Sequence, residues 1–359
     1  MDTASLKVEL LCLGAKTDEN IDKGRRGGAG PTGGRYLILP GGTSVNVPFQ
    51  GEFVSHSPFR LTRNVEGWML LRDEQPLVNV ELVDPPNFYR KKTSDGVLMW
   101  KIAQLHGRDC LGSTVYQRCH YWRLGKPCKF CAIELSADQG STVEAKSPRQ
   151  LAEVAVEAAR EGVVSHVTLT TGTPPTQDKG AILLAEATKA IKEAAGLPVH
   201  VQLEPPRNLR CLELLAEAGA DTIGIHIETF DRKTLAENCP MKLDVKSFFN
   251  AWRKSVGLFG EAQVSSYIIA GLGETEQSII KGAEELAVLG VVPYLVPLRP
   301  LPETPLSRSS PPSSDTMIRL YKSLSEILAK YGLDPKKAKA GCVRCGCCSA
   351  LNEFLKGSG

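Results

Sequence analysis

The sequence contains no run of the ~18 apolar residues that a membrane span requires. Nor does it open with a basic segment leading into an apolar one, so no secretory leader is expected. An excess of either charge is also lacking: 43 Lys and Arg face 40 Asp and Glu, for a formal net charge of +3. This balance argues against an extended nucleic-acid footprint and against a specialist for acidic ligands. Small basic clusters at 23–26 and 336–339 read as solvated surface. A dinucleotide fingerprint is missing too. Gly28, Gly30 and Gly33 satisfy G-x-G-x-x-G, but Pro31 and a strand follow where a helix should start. Segment 23–34 therefore reads as a basic glycine-rich loop, or as an anion-contacting flap over a site.

Cysteine, by contrast, is abundant. Eleven cysteines without a leader point to a reducing, cytoplasmic setting and to thiols kept for ligation, not for disulfides. Seven lie in two groups. Cys119, Cys128 and Cys131 fall within thirteen residues, and Gly125 and Pro127 favour a loop that can fold around a metal or an iron–sulfur cluster. In the tail, Cys342, Cys345, Cys347 and Cys348 form a second candidate metal site. Three of them, Cys342, Cys345 and Cys348, stand three apart, and Cys347 could replace Cys348. Cys12, Cys110, Cys211 and Cys239 read as ordinary buried or half-buried residues.

Residues 1–105 read as a β-rich accessory region, with short apolar or alternating runs at 8–13, 36–39, 68–71 and 77–83 and no strong helical period before about residue 97. From 113 onward strands and helices alternate. Strands are expected at 113–117, 166–171, 198–204, 222–228, 263–270 and 291–298, and helices at 148–160 (capped by Ser147), 178–195, 209–218, 275–289 and 314–330, with helical segments within 231–257. Six strand–helix units with right-handed crossovers imply an α/β fold with a parallel sheet, open or closed into a barrel. Chemistry then belongs beyond the carboxyl ends of the strands. Thr170 to Thr173, Gln202, Glu204, His226, Glu228, 271–274 and Arg299 fall there.

A strand running into a three-cysteine loop that ends Cys-x-aromatic-Cys, ahead of six strand–helix repeats, resembles the radical S-adenosylmethionine (SAM) superfamily. The likeness covers about 110–335 and is strongest at Lys126-Pro-Cys-Lys-Phe-Cys-Ala132. It implies a partial (β/α)6 TIM-like barrel over 106–335, between the accessory region and a cysteine-rich tail at 336–359. It also implies that Cys119, Cys128 and Cys131 hold the [4Fe-4S] cluster that binds SAM, beside Phe130 and Ala132. Eight residues separate the first two cysteines, where the family commonly has three, so Cys110 is the alternative first ligand. Longer spacings occur in Elp3-like members. Thr171, Gly172 and Thr173 take the place of a segment whose backbone receives the SAM amino group. His226-Ile-Glu228 is similar to the ribose-binding Asn-x-Asp of biotin synthase. Ile269 and Gly271 lie in a glycine motif that approaches adenine, and 297–306 resembles the sixth-strand exit of biotin-synthase-like members.

Carboxylates are rarely buried unpaired at the ends of apolar strands, which favours site roles for Glu204 and Glu228. His226 and His166 would, without the strand context, be core histidines. Arg299 reads equally as a carboxylate anchor or as a structural salt bridge. The resemblance extends to biotin and lipoyl synthases, including a component of the two-protein lipoyl synthase, and to a radical SAM family associated with nitrilase-type gene clusters. It implies sulfur insertion using an auxiliary [4Fe-4S] cluster on the tail. The implied partners are a ferredoxin or flavodoxin reductant, a second radical SAM subunit and a lipoyl-type carrier protein. Two other readings stand beside it. One is tRNA modification of the Elp3 type, disfavoured by the missing basic patch. The other is a non-enzymatic zinc protein whose four thiolates are Cys128, Cys131, Cys342 and Cys345.

Overall fold

The computed structural model describes residues 2–22, 24–28 and 33–355. Gly30 and Pro31 of the glycine-rich segment lie outside the described residues. Two sheets organise the chain. The first is antiparallel and holds β1 (Gly34–Ile38), β2 (Ser44–Pro48), β3 (Phe59–Asn64), β4 (Gly67–Arg72) and β5 (Gln75–Leu82) in the order β2-β1-β5-β4-β3.

The second sheet curls into a half-barrel. It holds β6 (Gln104–His106), β7 (Cys110–Thr114), β8 (His166–Thr170), β9 (Val199–Gln202), β10 (Thr222–Gly224), β11 (Val264–Ala270) and β12 (Val291–Pro297), laid side by side in chain order. From β7 to β12 every pairing is parallel. Only β6 runs antiparallel, as a hairpin with β7 that the expected repeat did not include. Register sets the site: Thr114 lies opposite Thr170, Thr170 opposite Gln202, and Gln202 opposite Gly224, so the carboxyl ends of four strands share one level.

The connecting helices start where local chemistry directs them. Ser147 accepts from the Gln150 amide while the Gln150 side chain accepts from the Ser147 amide, a reciprocal cap that fixes the start of Pro148–Arg160. Asp231, Asp244, Thr275 and Ser313 cap later helices with a side-chain oxygen that accepts from the amide three residues on.

One early element differs from expectation. Thr3–Leu13 is a helix, where a strand was expected over 8–13. Asp2 caps its first turn through the Ser5 amide and Gly14 ends it. Leu6, Val8, Leu10, Leu11 and Cys12 are buried, so it has no polar face whose period could show in the sequence.

The tail is packed, not loose. Gly341 N–H donates to His166 Nδ1 (3.2 Å), Thr222 Oγ1 to the Ala340 carbonyl (3.3 Å) and Gln263 Nε2 to the Lys337 carbonyl (2.9 Å). His166 and Thr222 open β8 and β10, so the tail crosses the amino ends of the strands, opposite the cysteine loop. From the other side the accessory region grips it. The Asn46 amide donates to the Cys347 carbonyl (2.8 Å), and the buried Lys7 ammonium donates to the Gly346 carbonyl and Glu353. Among the described residues no helix is long and apolar enough to cross a membrane.

Candidate functional site

Two neighbouring cavities fill the half-barrel. The smaller, about 190 Å³, is lined by Cys119, Cys128 and Cys131, by Thr171 to Thr173, and by Glu204, His226, Glu228 and Lys242. The larger, about 390 Å³, runs from Cys131, Phe130 and Ala132 past His226 and Glu228 to Cys342, Cys348 and Arg299. They share Phe130, Cys131, Ile133, Thr170, Gln202, His226 and Glu228 as common wall. Both cysteine groups therefore face one connected space.

The loop thiols are held by backbone. The Cys119 amide donates to Glu134 (2.8 Å) and the His120 amide to the Thr173 carbonyl (2.7 Å). Gly172 N–H donates to the Tyr116 carbonyl (2.7 Å), and a Cβ at Gly172 would stand 2.0 Å from the Arg118 carbonyl oxygen. The Thr171–Thr173 segment thus fastens the cysteine loop to β8 while also lining the cavity. Cys110 lies elsewhere, at the start of β7 against Thr168 (3.2 Å), with Cys345 and Cys342 as neighbours.

Electrostatics single out one thiol of the loop. A hydrogen bond from Cys239 lowers the Cys128 pKa, against the opposing pull of burial and with help from the Lys242 ammonium. Burial first, then the neighbouring Cys128, pushes Cys131 up to about 12; burial also raises Cys119. Lys242 is buried and donates to Glu228 (2.8 Å) and to the His226 carbonyl (2.9 Å). Burial opposes its charge, but Glu228, Cys128 and Glu204 together hold it well above the usual lysine range.

Glu228 has φ +73°, a left-handed backbone that costs a non-glycine residue free energy and marks many functional positions. Its carboxylate is committed to Lys242, and Glu204 accepts from the Tyr121 hydroxyl (2.6 Å). His226 stacks on Tyr267 at 4.2 Å, and its Nδ1 accepts from the Tyr267 amide (3.1 Å). That bond leaves the proton on Nε2, which is buried without a partner. Burial, then Lys242, holds this imidazole well below its ordinary pKa and so neutral. Ile269, Leu272 and Leu298 form a small apolar patch against Phe130. Gly271 turns with φ +104°, and its amide donates to Glu274 (2.8 Å).

Arg299 meets the accessory sheet. Its guanidinium donates to Asn46 Oδ1 (3.1 Å) and to the Asn46 carbonyl (2.6 Å), next to Cys348. Tail sulfurs gather around it. Cys347 Sγ lies 3.4 Å from Cys345 Sγ and 3.7 Å from Cys348 Sγ, while Gln202 Nε2 donates to Cys342 Sγ (3.3 Å) and Asn46 Nδ2 to Cys348 Sγ (3.5 Å).

Sequence reasoning missed several contributors. Lys242 sits in a loop between two helices, Cys239 looked like an ordinary core thiol, and Tyr36 and Asn46 come from the accessory sheet. Gly27 and Gly28, from the glycine-rich segment, line the larger cavity. A Cβ at Gly27 would stand 1.7 Å from the Ala132 carbonyl oxygen.

The donor chemistry of the loop fits an iron–sulfur cluster. At the tail, His106, Cys345 and Cys347 bring their ligand atoms within 4.8 Å of one another. The three loop thiols line one cavity and supply the soft thiolate donors that iron–sulfur clusters use. The structure also does not assemble Cys128 and Cys131 with Cys342 and Cys345. A half-barrel with three thiols and a charged cradle at the carboxyl ends of its strands has the donors that an iron–sulfur cofactor site needs.

Residues 116–286 match the family model of the radical SAM superfamily. A match to that superfamily implies a [4Fe-4S] cluster and SAM as cofactors. The chain is similar to the bacteriochlorophyllide c C-7(1)-hydroxylase of Chlorobaculum limnaeum, 21% identical over 234 residues, which cover 59% of this chain and 58% of that protein. It is also similar to the lipoyl synthase of Thermus thermophilus, 29% identical over 196 residues, 52% of this chain and 58% of that one. Among solved structures, a methylornithine synthase aligns at 16% identity over 61% of this chain and 60% of its own, with a TM-score of 0.45. The chain spans less than two thirds of the length of these relatives.

Proposed function

We propose that this radical SAM enzyme inserts sulfur into an unactivated aliphatic carbon, using an auxiliary iron–sulfur centre on its tail. One observation carries the reading: Cys131 at one end and Cys342 and Cys348 at the other line a single cavity of about 390 Å³. That volume suits a small-molecule site. The similarity to a lipoyl synthase supports the sulfur chemistry.

Cys119, Cys128 and Cys131 would hold the SAM-binding cluster. When bound, it supplies the electron that cleaves the sulfonium to methionine and a hydrogen-abstracting 5′-deoxyadenosyl radical. The chain's own residues arrange the rest. Lys242 and Cys239 favour the thiolate of Cys128. His226 presents an Nε2–H donor, Glu204 and Glu228 present carboxylate oxygens, and the Phe130–Ile269–Leu298 patch offers an apolar face for a nucleobase. Gly27 and Gly28 lie over Ala132 and Gln117 and screen the cavity from water, which protects a reactive species. The tail cysteines line the far end of the same space, where a sulfur donor could meet a carbon from which hydrogen has been taken.

The substrate in this reading is an aliphatic acyl chain on a lipoyl-type carrier protein. A ferredoxin or flavodoxin delivers electrons, and a second radical SAM subunit completes the pair. Anaerobically reconstituted protein, supplied with SAM, dithionite and an octanoylated carrier, should give thiolated acyl product by mass spectrometry. Abundant 5′-deoxyadenosine with no new carbon–sulfur bond on this carrier would reject the reading.

A further inference from the structure

We propose that His106 is a ligand of the tail metal centre, supplying a nitrogen donor that the cysteine-rich tail itself lacks. This rests on the tail being a metal centre, but not on sulfur insertion or on how many metal atoms are bound.

Three observations converge on the imidazole. First, His106 Nε2 lies 3.4 Å from Cys347 Sγ and 3.7 Å from Cys348 Sγ, and its ligand nitrogen is within 4.8 Å of Cys345 Sγ as well. Metal–sulfur and metal–nitrogen bonds of about 2.3 and 2.0–2.1 Å together span up to about 4.4 Å, so a metal held by Cys347 or Cys348 is within reach of Nε2. Second, the opposite nitrogen is anchored. Nδ1 lies 2.8 Å from the Tyr36 hydroxyl, and the Tyr36 ring packs edge-on to the imidazole at 5.3 Å. With Nδ1–H donating to the Tyr36 oxygen, the lone pair of Nε2 points at the sulfurs, the usual arrangement behind a metal-bound histidine. Third, the chain beside His106 is shaped for close approach. Gly107 has φ +66°, and a Cβ there would stand 2.4 Å from Cys345 Sγ. The next residue is therefore bare where the tail thiol comes down on the β6–β7 hairpin.

This gives the accessory sheet a role. It brings Tyr36 and Asn46 against the outer side of the centre, while β6 brings His106. A neutral imidazole in place of a thiolate also makes the centre less negative, which raises its reduction potential.

The test uses the full chain carrying Cys119→Ala, Cys128→Ala and Cys131→Ala, so that only the tail centre loads. It is supplied anaerobically with iron and sulfide, after labelling histidine with nitrogen-15. Pulsed electron paramagnetic resonance of the reduced centre should show a directly coupled histidine nitrogen, and His106→Cys should keep the iron while losing that coupling. Absence of histidine coupling in the parent, or its persistence in His106→Cys, overturns the assignment. If the tail takes zinc in place of iron and sulfide, the auxiliary-cluster reading fails. The ligand is then read by zinc-edge X-ray absorption: a nitrogen ligand lost in His106→Cys upholds the inference, and an all-sulfur shell overturns it. If the tail binds neither iron nor zinc, both fall.

Discussion

Replacing Lys242 with methionine tests how the cavity wall is held together. The Lys242 ammonium is 8% exposed and the Glu228 carboxylate 9%, with 2.8 Å between them. Lys242→Met keeps the length of the side chain but leaves Glu228 buried, charged and without its cation. Breaking such a pair from one side costs about 3–5 kcal/mol, because the remaining charge is uncompensated. An unfolding entropy of about 2.1 cal/mol/K per residue, over 359 residues, gives about 0.75 kcal/mol/K. The expected fall in Tm is therefore about 4–7 °C. Adding Glu228→Gln removes the stranded charge, so the double variant should recover about half of the loss. Differential scanning fluorimetry on the purified chain reads both. A single variant melting within about 1 °C of the parent would refute the argument, as would a double variant that melts lower than the single one.

Three further outcomes follow from the packing and the buried histidines. Gly172→Ala should push the cysteine loop off β8, because its Cβ would meet the Arg118 carbonyl at 2.0 Å; iron uptake at the loop should fall severalfold in an iron assay while the tail centre still loads. Tyr36→Phe should weaken retention of the tail metal by about 10- to 100-fold in a chelator competition, since the histidine loses its anchor. Acid should loosen the tail. Burial lowers His166 to about 4 and His200 to about 3, so both are neutral when folded but bind protons near pH 6.5 when unfolded. The stability this brings is fully present above about pH 6.5 and is lost as pH falls towards 4 and then 3, which urea melts across that range should show.

Much of the barrel could be read from the sequence. Each of the six parallel strands appears within a few residues of its expected position, because its apolar run is bounded by turn residues and followed by an amphipathic helix. Helix Thr3–Leu13 escaped because it is buried on most sides, Lys7 included, and alternation over 6–10 followed by a short apolar run does not distinguish helix from strand. The three loop cysteines could be read from their spacing, and the structure places Cys119 with Cys128 and Cys131 while Cys110 sits with the tail. His106, Lys242, Tyr36 and Asn46 were hidden for another reason. Each reaches its site only through tertiary packing, as with the 241 and 302 residues that separate His106 from Cys347 and Asn46 from Cys348. No local pattern encodes such distances. Arg299 illustrates the converse: its position beyond β12 was visible, but its engagement with Asn46 required the accessory sheet in place.

The most direct measurement of the central claim is anaerobic production of 5′-deoxyadenosine from SAM and dithionite by the reconstituted chain, beside Cys128→Ala and Cys345→Ala. The account predicts cleavage by the parent, loss of cleavage in Cys128→Ala, and cleavage retained in Cys345→Ala with about half the iron and sulfide gone. No cleavage by a parent that carries iron and sulfide, or equal cleavage by Cys128→Ala, would contradict it.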